Sequence, residues 1–256
     1  MPEFDSHTPN LARMYDYLLG GENNFAIDRE AIDTLAELLP EAVPVARANR
    51  AFLQRAVRYL TGTGIRQFLH LGGGLPTQGN AHEVALGSRV VYVERDPVAA
   101  AHGRALLQAD DGAVMLQADL LDTDDVLGRA ADFLDLSQPV GLLLVSVLHF
   151  VLDDDEPHAM VARLRDALAP GSHLVVTHAT SLVRAQGPGT LGVHRGAGGT
   201  DRTPQEIREF FGDFTLVSPG LVQAADWRPD RPRLVGSPSP ASCLLVGVAQ
   251  KAAKPQ

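Results

Sequence analysis

The chain of 256 residues carries a formal net charge of -9 and is 45% hydrophobic, apolar enough for one sizeable core and too apolar for a disordered chain. Its acidity, without any run of lysine or arginine, argues against nucleic acid as a partner. No stretch reaches the ~18 apolar residues of a membrane span, no apolar signal core follows Met1, and one cysteine allows no intrachain disulfide, so a cytoplasmic protein with no membrane partner is expected.

The first 60 or so residues read as helical. Leu11, Met14, Leu18 and Leu19 recur at helical spacing and Gly20-Gly21 stops that helix. Asp28 is expected to cap a second helix over residues 29–39, which Pro40 ends. A third is expected over residues 45–60, with Phe52, Leu53, Val57 and Leu60 on one face. From Arg66 the pattern alternates. Strands are expected at residues 67–71, 90–94, 114–117, 140–148 and 173–177, and helices at 78–86, 97–108, 124–134 and 157–168. Short apolar strands alternating with helices imply parallel βαβ units and a doubly wound α/β sheet. Residues 181–202 hold six glycines and read as a long loop. A helix over residues 204–211 and strands at 214–217 and 243–248 then close the chain, with residues 227–240 as an irregular surface excursion. Cys243 opens the last strand and reads as a buried small hydrophobe.

The sharpest local signal is Leu71-Gly72-Gly73-Gly74-Leu75-Pro76-Thr77. A buried strand runs into glycines that accept positive φ and close ligand approach, and a helix start behind them is expected to offer free N–H groups. Such a turn at the carboxyl end of the first strand is where open α/β sheets bind ligands. The dinucleotide fingerprint G-x-G-x-x-G would need glycine where Thr77 stands, and the phosphate-binding G-x-x-x-x-G-K-[ST] pattern is absent. A nucleoside without phosphates remains, with S-adenosylmethionine the leading case. Glu94, at the end of the second strand and twenty residues after Gly74, is placed to accept both ribose hydroxyls. Asp96 before Pro97 is placed to cap the next helix beside that contact. Asp119, after the third strand, is placed to accept a bond from the adenine amino group.

With these residues in view, Arg13-Met14-Tyr15-Asp16-Tyr17-Leu18-Leu19-Gly20-Gly21, Asn24-Phe25, Ala48-Asn49-Arg50, Gly74-Leu75-Pro76-Thr77-Gln78-Gly79-Asn80, Val147-Leu148-His149-Phe150 and Trp227-Arg228-Pro229 resemble an actinobacterial S-adenosylmethionine-dependent methyltransferase family once described as a domain of unknown function. The resemblance spans about residues 8–250. It implies a class I methyltransferase fold: a Rossmann-like doubly wound sheet of seven strands, the last antiparallel, behind an N-terminal helical cap. The expected division is a cap over residues 1–60 and a cofactor-binding catalytic domain over residues 61–250. The resemblance also implies that Tyr15, Gly21, Asn24 and Phe25 touch the cofactor and that Arg50 meets its carboxylate. His70 departs from the family pattern, which has an acidic residue at the end of the first strand. His70 is counted with Gly72, Gly74, Thr77, Glu94, Asp96, Asp119 and Ser146 among the cofactor contacts. With the cofactor in the usual pose, its ammonium near the end of the first strand, affinity should drop on acidification as His70 becomes cationic.

The fourth strand ends at Ser146-Val147-Leu148-His149-Phe150, where such folds hold the sulfonium. His149 is therefore the candidate general base for a small-molecule, natural-product-like methyl acceptor. His178 is a weaker candidate facing the substrate, and His82 reads as a surface or interface residue. The run Asp153-Asp154-Asp155-Glu156 is expected to cap the following helix. No His/Cys/Asp cluster has ligand spacing, so no metal is expected. Two other readings stay open: a regulatory protein that binds S-adenosylmethionine or S-adenosylhomocysteine without methylating, and an NAD-dependent oxidoreductase. Oligomeric state is not legible, a homodimer included.

Overall fold

The computed structural model describes residues 8–180, 199–231 and 243–253. Three helices come first: α1 (Leu11–Leu18), α2 (Ala26–Leu38) and α3 (Ala42–Gly62). Alternation follows as β1 (Gln67–Leu71), α4 (Ala81–Val84), β2 (Arg89–Glu94), α5 (Pro97–Leu106), β3 (Ala113–Gln117), α6 (Thr123–Ala130), β4 (Gly141–Val145), α7 (Pro157–Ala167) and β5 (His173–Ala179). The chain closes with α8 (Pro204–Glu209), β6 (Thr215–Leu216), β7 (Val222–Gln223) and β8 (Leu244–Gln250). The sheet runs β3-β2-β1-β4-β5-β8-β6. β1 to β5 are parallel, and β8 enters antiparallel to β5. β6 and the unanticipated β7 pair the same outer edge of β8, so the described strands fill seven sheet positions.

Alternation along the strands sorts side chains into two cores. Phe68, Val90, Tyr92, Leu143, Val145 and Val175 face one layer with Phe52, Leu53, Val57 and Leu60 of α3. Leu69, Leu71, Val91, Leu142, Leu144 and Val176 face the other with Met160, Val161 and Leu164 of α7. Each such side chain contributes roughly 1.5–3 kcal/mol on burial, so α3 is fastened to the sheet by its whole apolar face.

Several expectations give way. Trp227 is not on a surface excursion: it is fully buried, edge-on to Phe52 at 5.3 Å and to Tyr59 at 5.8 Å. An indole lost to water would waste the largest apolar surface in the chain, and Arg55 Nε pins its backbone by donating to the Trp227 carbonyl at 2.9 Å. Cys243 is half-buried, and the other residues of the expected excursion after 231, like residues 181–198 of the expected loop, lie outside the described residues. Helix α2 starts at Ala26, so Asp28 is its third residue and caps backwards, accepting the Phe25 and Asn10 N–H groups at 2.9 Å each. β4 stops at Val145, three residues short of the expected strand, because Ser146 turns to φ 54°. The helix expected at 78–86 shrinks to four residues, since Gly79 at φ 58° delays it until the Asn80 cap.

Candidate functional site

The parallel register brings the carboxyl ends of β1 to β4 to one sheet edge. Gly72 N–H donates to the Val93 carbonyl at 2.9 Å and Ala118 N–H to the Glu94 carbonyl at 3.1 Å, which joins the ends of β1, β2 and β3. Gly72 and Gly74 take φ of 63° and 65°, which glycine adopts at no steric cost. A Cβ on Gly72 would lie 2.3 Å from Val147 Cγ2, and one on Gly73 would lie 3.0 Å from His70 Nδ1. The glycine loop therefore rests directly on the turn that follows β4. Thr77 sits in this loop, its N–H donating to the Leu75 carbonyl at 3.0 Å. A short four-residue helix stands where the longer one was expected.

Glu94 ends β2 half-buried, with Oε1 accepting the Asp96 N–H at 3.0 Å. Burial pushes its carboxyl pKa up. Asp96 caps α5, accepting the Ala99 N–H at 2.7 Å ahead of Pro97. Asp119 is partly exposed beyond β3: Oδ1 accepts the Leu121 N–H at 3.0 Å and Oδ2 faces Arg95 at 3.8 Å.

The N-terminal helices lie over this edge. Ala12 packs 3.6 Å from the Cβ position of Gly74, with Leu75 and Ala99 beside it. Arg13 and Asp28 form a buried ion pair at 2.6 Å that ties α1 to α2. Burial alone raises the Asp28 pKa, but the hydrogen bonds from Arg13, Phe25 and Asn10 outweigh it and hold the carboxyl below its ordinary range. Gly21 has a packing reason of its own: a Cβ there would lie 2.2 Å from the Asp16 carboxylate. Asp16 Oδ2 in turn accepts Asn23 N–H at 2.8 Å and Asn24 Nδ2 at 2.9 Å, and Asn24 Nδ2 also reaches the Gly21 carbonyl at 2.8 Å. Asn24 thus spends its donors on the turn. Phe25 packs under Arg13, whose guanidinium lies 4.8 Å above its ring.

A polar chain that sequence reasoning missed joins α1, α3, β5 and the end of β4. Tyr15 OH donates to the Ala46 carbonyl at 3.2 Å and accepts from Asn49 Nδ2 at 2.7 Å. Thr177 Oγ1 donates to Asn49 Oδ1 at 2.8 Å and accepts the Ser146 N–H at 2.7 Å. Burial pushes the Tyr15 pKa up against the opposing charge of Arg50. Asn49 stood beside Arg50 in the sequence motif; Thr177 carried no signal, being one more residue of an apolar strand. Arg50 is buried, its Nη1 donating to Asn80 Oδ1 at 2.5 Å, while its Nε has no partner among the described residues.

His70 is buried under Gly73 against Tyr92, at 5.5 Å between rings, and neither ring nitrogen has a partner among the described residues. Burial first, and then the Arg50 charge, lower its pKa to about 3. The expected loss of cofactor affinity through His70 protonation near neutrality is thereby corrected: the imidazole is neutral across the physiological range. His82 is half-buried, and its Nδ1 meets Tyr92 OH at 2.8 Å.

His149 lies buried on the 3-10 turn Leu148–Phe150, with ring contacts to Phe150 at 4.3 Å and His178 at 5.6 Å. The acidic run stands at the start of α7, where its charge was expected, with Glu156 as the N-cap residue. Glu156 enters it at φ 49° with no side-chain cap bond, and Asp153 pairs with Arg202 at 2.7 Å.

The groups here fit S-adenosylmethionine: a glycine turn with Gly72 and Gly74 at positive φ at the end of β1, a carboxylate at the end of β2, and a buried guanidinium whose Nε is unmet among the described residues, complementary to an amino-acid carboxylate. The S-adenosyl methyltransferase family matches residues 1–252, and the chain belongs to it. It is an S-adenosylmethionine-dependent methyltransferase of class I fold. A solved structure of a methyltransferase candidate from Thermobifida fusca is 40% identical, with a TM-score of 0.90 over 98% of each chain. A protein of the family of unknown function 574 from Streptomyces avermitilis is 36% identical, with a TM-score of 0.89 over 97% of this chain and 100% of its own. Magnesium protoporphyrin IX methyltransferase from Synechocystis, solved with S-adenosylhomocysteine, shares the fold at 14% identity and a TM-score of 0.57 over 93% of each chain. No curated protein sequence matches the chain. Among the described residues, no helix is long and apolar enough to cross a membrane.

Proposed function

We propose that the chain transfers a methyl group to a small-molecule, natural-product-like acceptor in the cytoplasm, beside the turn that follows β4. The observation that carries this reading is the close packing of the glycine loop on that turn, Gly72 against Val147. In this reading that packing brings the bound cofactor and His149 side by side. When bound, S-adenosylmethionine supplies an electrophilic methyl group on a positively charged sulfur. In this reading Glu94 accepts the ribose hydroxyls, Asp96 fixes the helix beside them, and Asp119 takes the adenine amino group. Arg50 holds the carboxylate end. Gly72, Gly74, Thr77, His70 and Ser146 line the backbone cradle, and residues 1–60, through Tyr15, Gly21, Asn24 and Phe25, cover it as a cap over a catalytic domain of residues 61–250. His149 takes the acceptor's proton as its oxygen or nitrogen attacks.

The test is methyl-labelled cofactor with fractionated cell extract. Label is expected in a small-molecule fraction, and label confined to protein or RNA would sink the acceptor class. His149→Ala should lower kcat by roughly 10²–10⁴ with cofactor affinity unchanged; a near-wild-type rate would leave positioning alone as the mechanism.

A further inference from the structure

The chain comes back to the sheet at Thr200–Arg202, and it does so on the His149 turn. Thr200 N–H donates to the His149 carbonyl at 2.6 Å. Arg202 is 2% exposed, and its guanidinium spends all four Nη hydrogens on protein partners. Nη1 donates to the Leu148 carbonyl at 2.8 Å and faces His178 Nε2 at 3.1 Å. Nη2 donates to the Val151 carbonyl at 2.9 Å and to Asp153 Oδ1 at 2.7 Å. The group lies over the Phe210 ring at 5.5 Å. Asp153 is 74% exposed, so carbonyls and an imidazole, more than a buried counter-charge, replace the water that the guanidinium gave up. An apolar side chain would fill the space at less cost; what it would lack is the planar fork of donors.

That fork decides a proton position. An arginine N–H can only donate, so the His178 Nε2 it faces is the unprotonated nitrogen. The His178 proton then sits on Nδ1, which lies 2.5 Å from the Ala179 carbonyl. The ring so fixed meets the His149 ring edge-on. One side chain therefore holds the carbonyls of Leu148 and Val151, on either side of His149, and the tautomer of the imidazole against which His149 packs.

We propose that Arg202 is a positioning residue of this active site, holding the His149 turn and a neutral, Nδ1-protonated His178 so that His149 meets the acceptor in one orientation. The proposal rests on the reading of His149 given above and also removes His178 from the set of bases, since its one lone pair is taken.

The experiment uses the full-length chain with 15N-labelled histidine and S-adenosylhomocysteine as the probe ligand. In the wild type, His178 should show one protonated and one unprotonated ring nitrogen, with Nδ1 carrying the proton. In Arg202→Met that pattern should be lost, the His149 ring resonances should move, and the Phe150 and Thr200 amides should exchange at least roughly tenfold faster, while affinity for S-adenosylhomocysteine stays unchanged. Arg202→Lys should not rescue it, because one ammonium cannot reach four acceptors in a plane; it also serves if Arg202→Met does not fold. An unchanged His178 tautomer in the variants overturns the proposal. So does a loss of ligand affinity in parallel with melting temperature, the mark of a scaffold residue. The rate of His149→Ala tests His149 as the base, and the spectra test Arg202, so failure of one is not mistaken for failure of the other.

Discussion

Thr177→Val keeps the shape of a fully buried side chain and deletes one oxygen. That oxygen accepts the Ser146 N–H at 2.7 Å and donates to Asn49 Oδ1 at 2.8 Å. Leaving a buried partner unmet costs about 1–3 kcal/mol, so two give about 2–6 kcal/mol. For a chain of this size each kcal/mol moves the melting temperature by roughly 2–4 °C, which predicts a drop of about 4–24 °C. The effect should spread beyond β5. Ser146 holds φ 54°, a conformation that costs on the order of 1–3 kcal/mol and persists only where its surroundings impose it, and Tyr15 hangs on the same Asn49. Denaturant unfolding of Thr177→Val, Asn49→Ala and the double variant reads this directly. The pair should couple by at least about 0.5 kcal/mol, as contacting residues do. A Thr177→Val loss below about 0.5 kcal/mol, or strict additivity, would refute the claim that this chain fastens the N-terminal helices to the end of β4.

Glu94→Gln should lower affinity for S-adenosylhomocysteine at least tenfold, since hydrogen bonds to a charged acceptor contribute roughly 1.5–3 kcal/mol each; unchanged calorimetry would remove the ribose assignment. Because burial raises the Glu94 pKa, wild-type affinity should begin to fall at a higher pH than for an exposed glutamate as the solution is acidified. Fold stability should also decline in acid. The pKa values of His70 and His173 are lowered from 6.5 to about 3 and about 4, chiefly by burial, so the folded chain refuses protons that the unfolded chain takes up below about pH 6.5. Each group then contributes a slope of up to about 1.4 kcal/mol per pH unit that is lost as pH falls from there. His70→Phe and His173→Phe should flatten urea midpoints measured between pH 7 and pH 4, and slopes equal to wild type would contradict the burial argument.

What the sequence made legible follows the reach of each signal. The strand–glycine–acid succession from Leu71 to Glu94 is local, and the structure places those residues at adjacent strand ends as expected. Period-two and period-3.6 patterns set the alternation of elements, but their ends were misplaced wherever one backbone torsion decided, as at Ser146 and Gly79. Residues whose work depends on distant partners were invisible. Thr177 reaches Asn49 across 128 positions, and Arg55 reaches Trp227 across 172, so neither a buried threonine nor a tryptophan in a Pro/Arg-rich stretch disclosed its place. Asp153 read as a helix cap because its neighbours are acidic; the guanidinium it pairs with lies 49 residues on.

The departure at position 70 is best understood together with Arg50. The imidazole is buried and neutral, and the charge it feels is that guanidinium. A carboxylate at the same depth would need a cation, and Arg50 is the charge at hand. His70→Asp would then turn Arg50 toward an internal partner and away from any ligand. With histidine in place, Arg50 spends one nitrogen on Asn80 and keeps its Nε unmet among the described residues. The end of β1 therefore keeps a guanidinium that no carboxylate among the described residues bonds directly, with Glu83 reaching only as far as Asn80. On this chain an imidazole at position 70 leaves the Arg50 charge without an internal counter-charge at that position, and a carboxylate there would supply one.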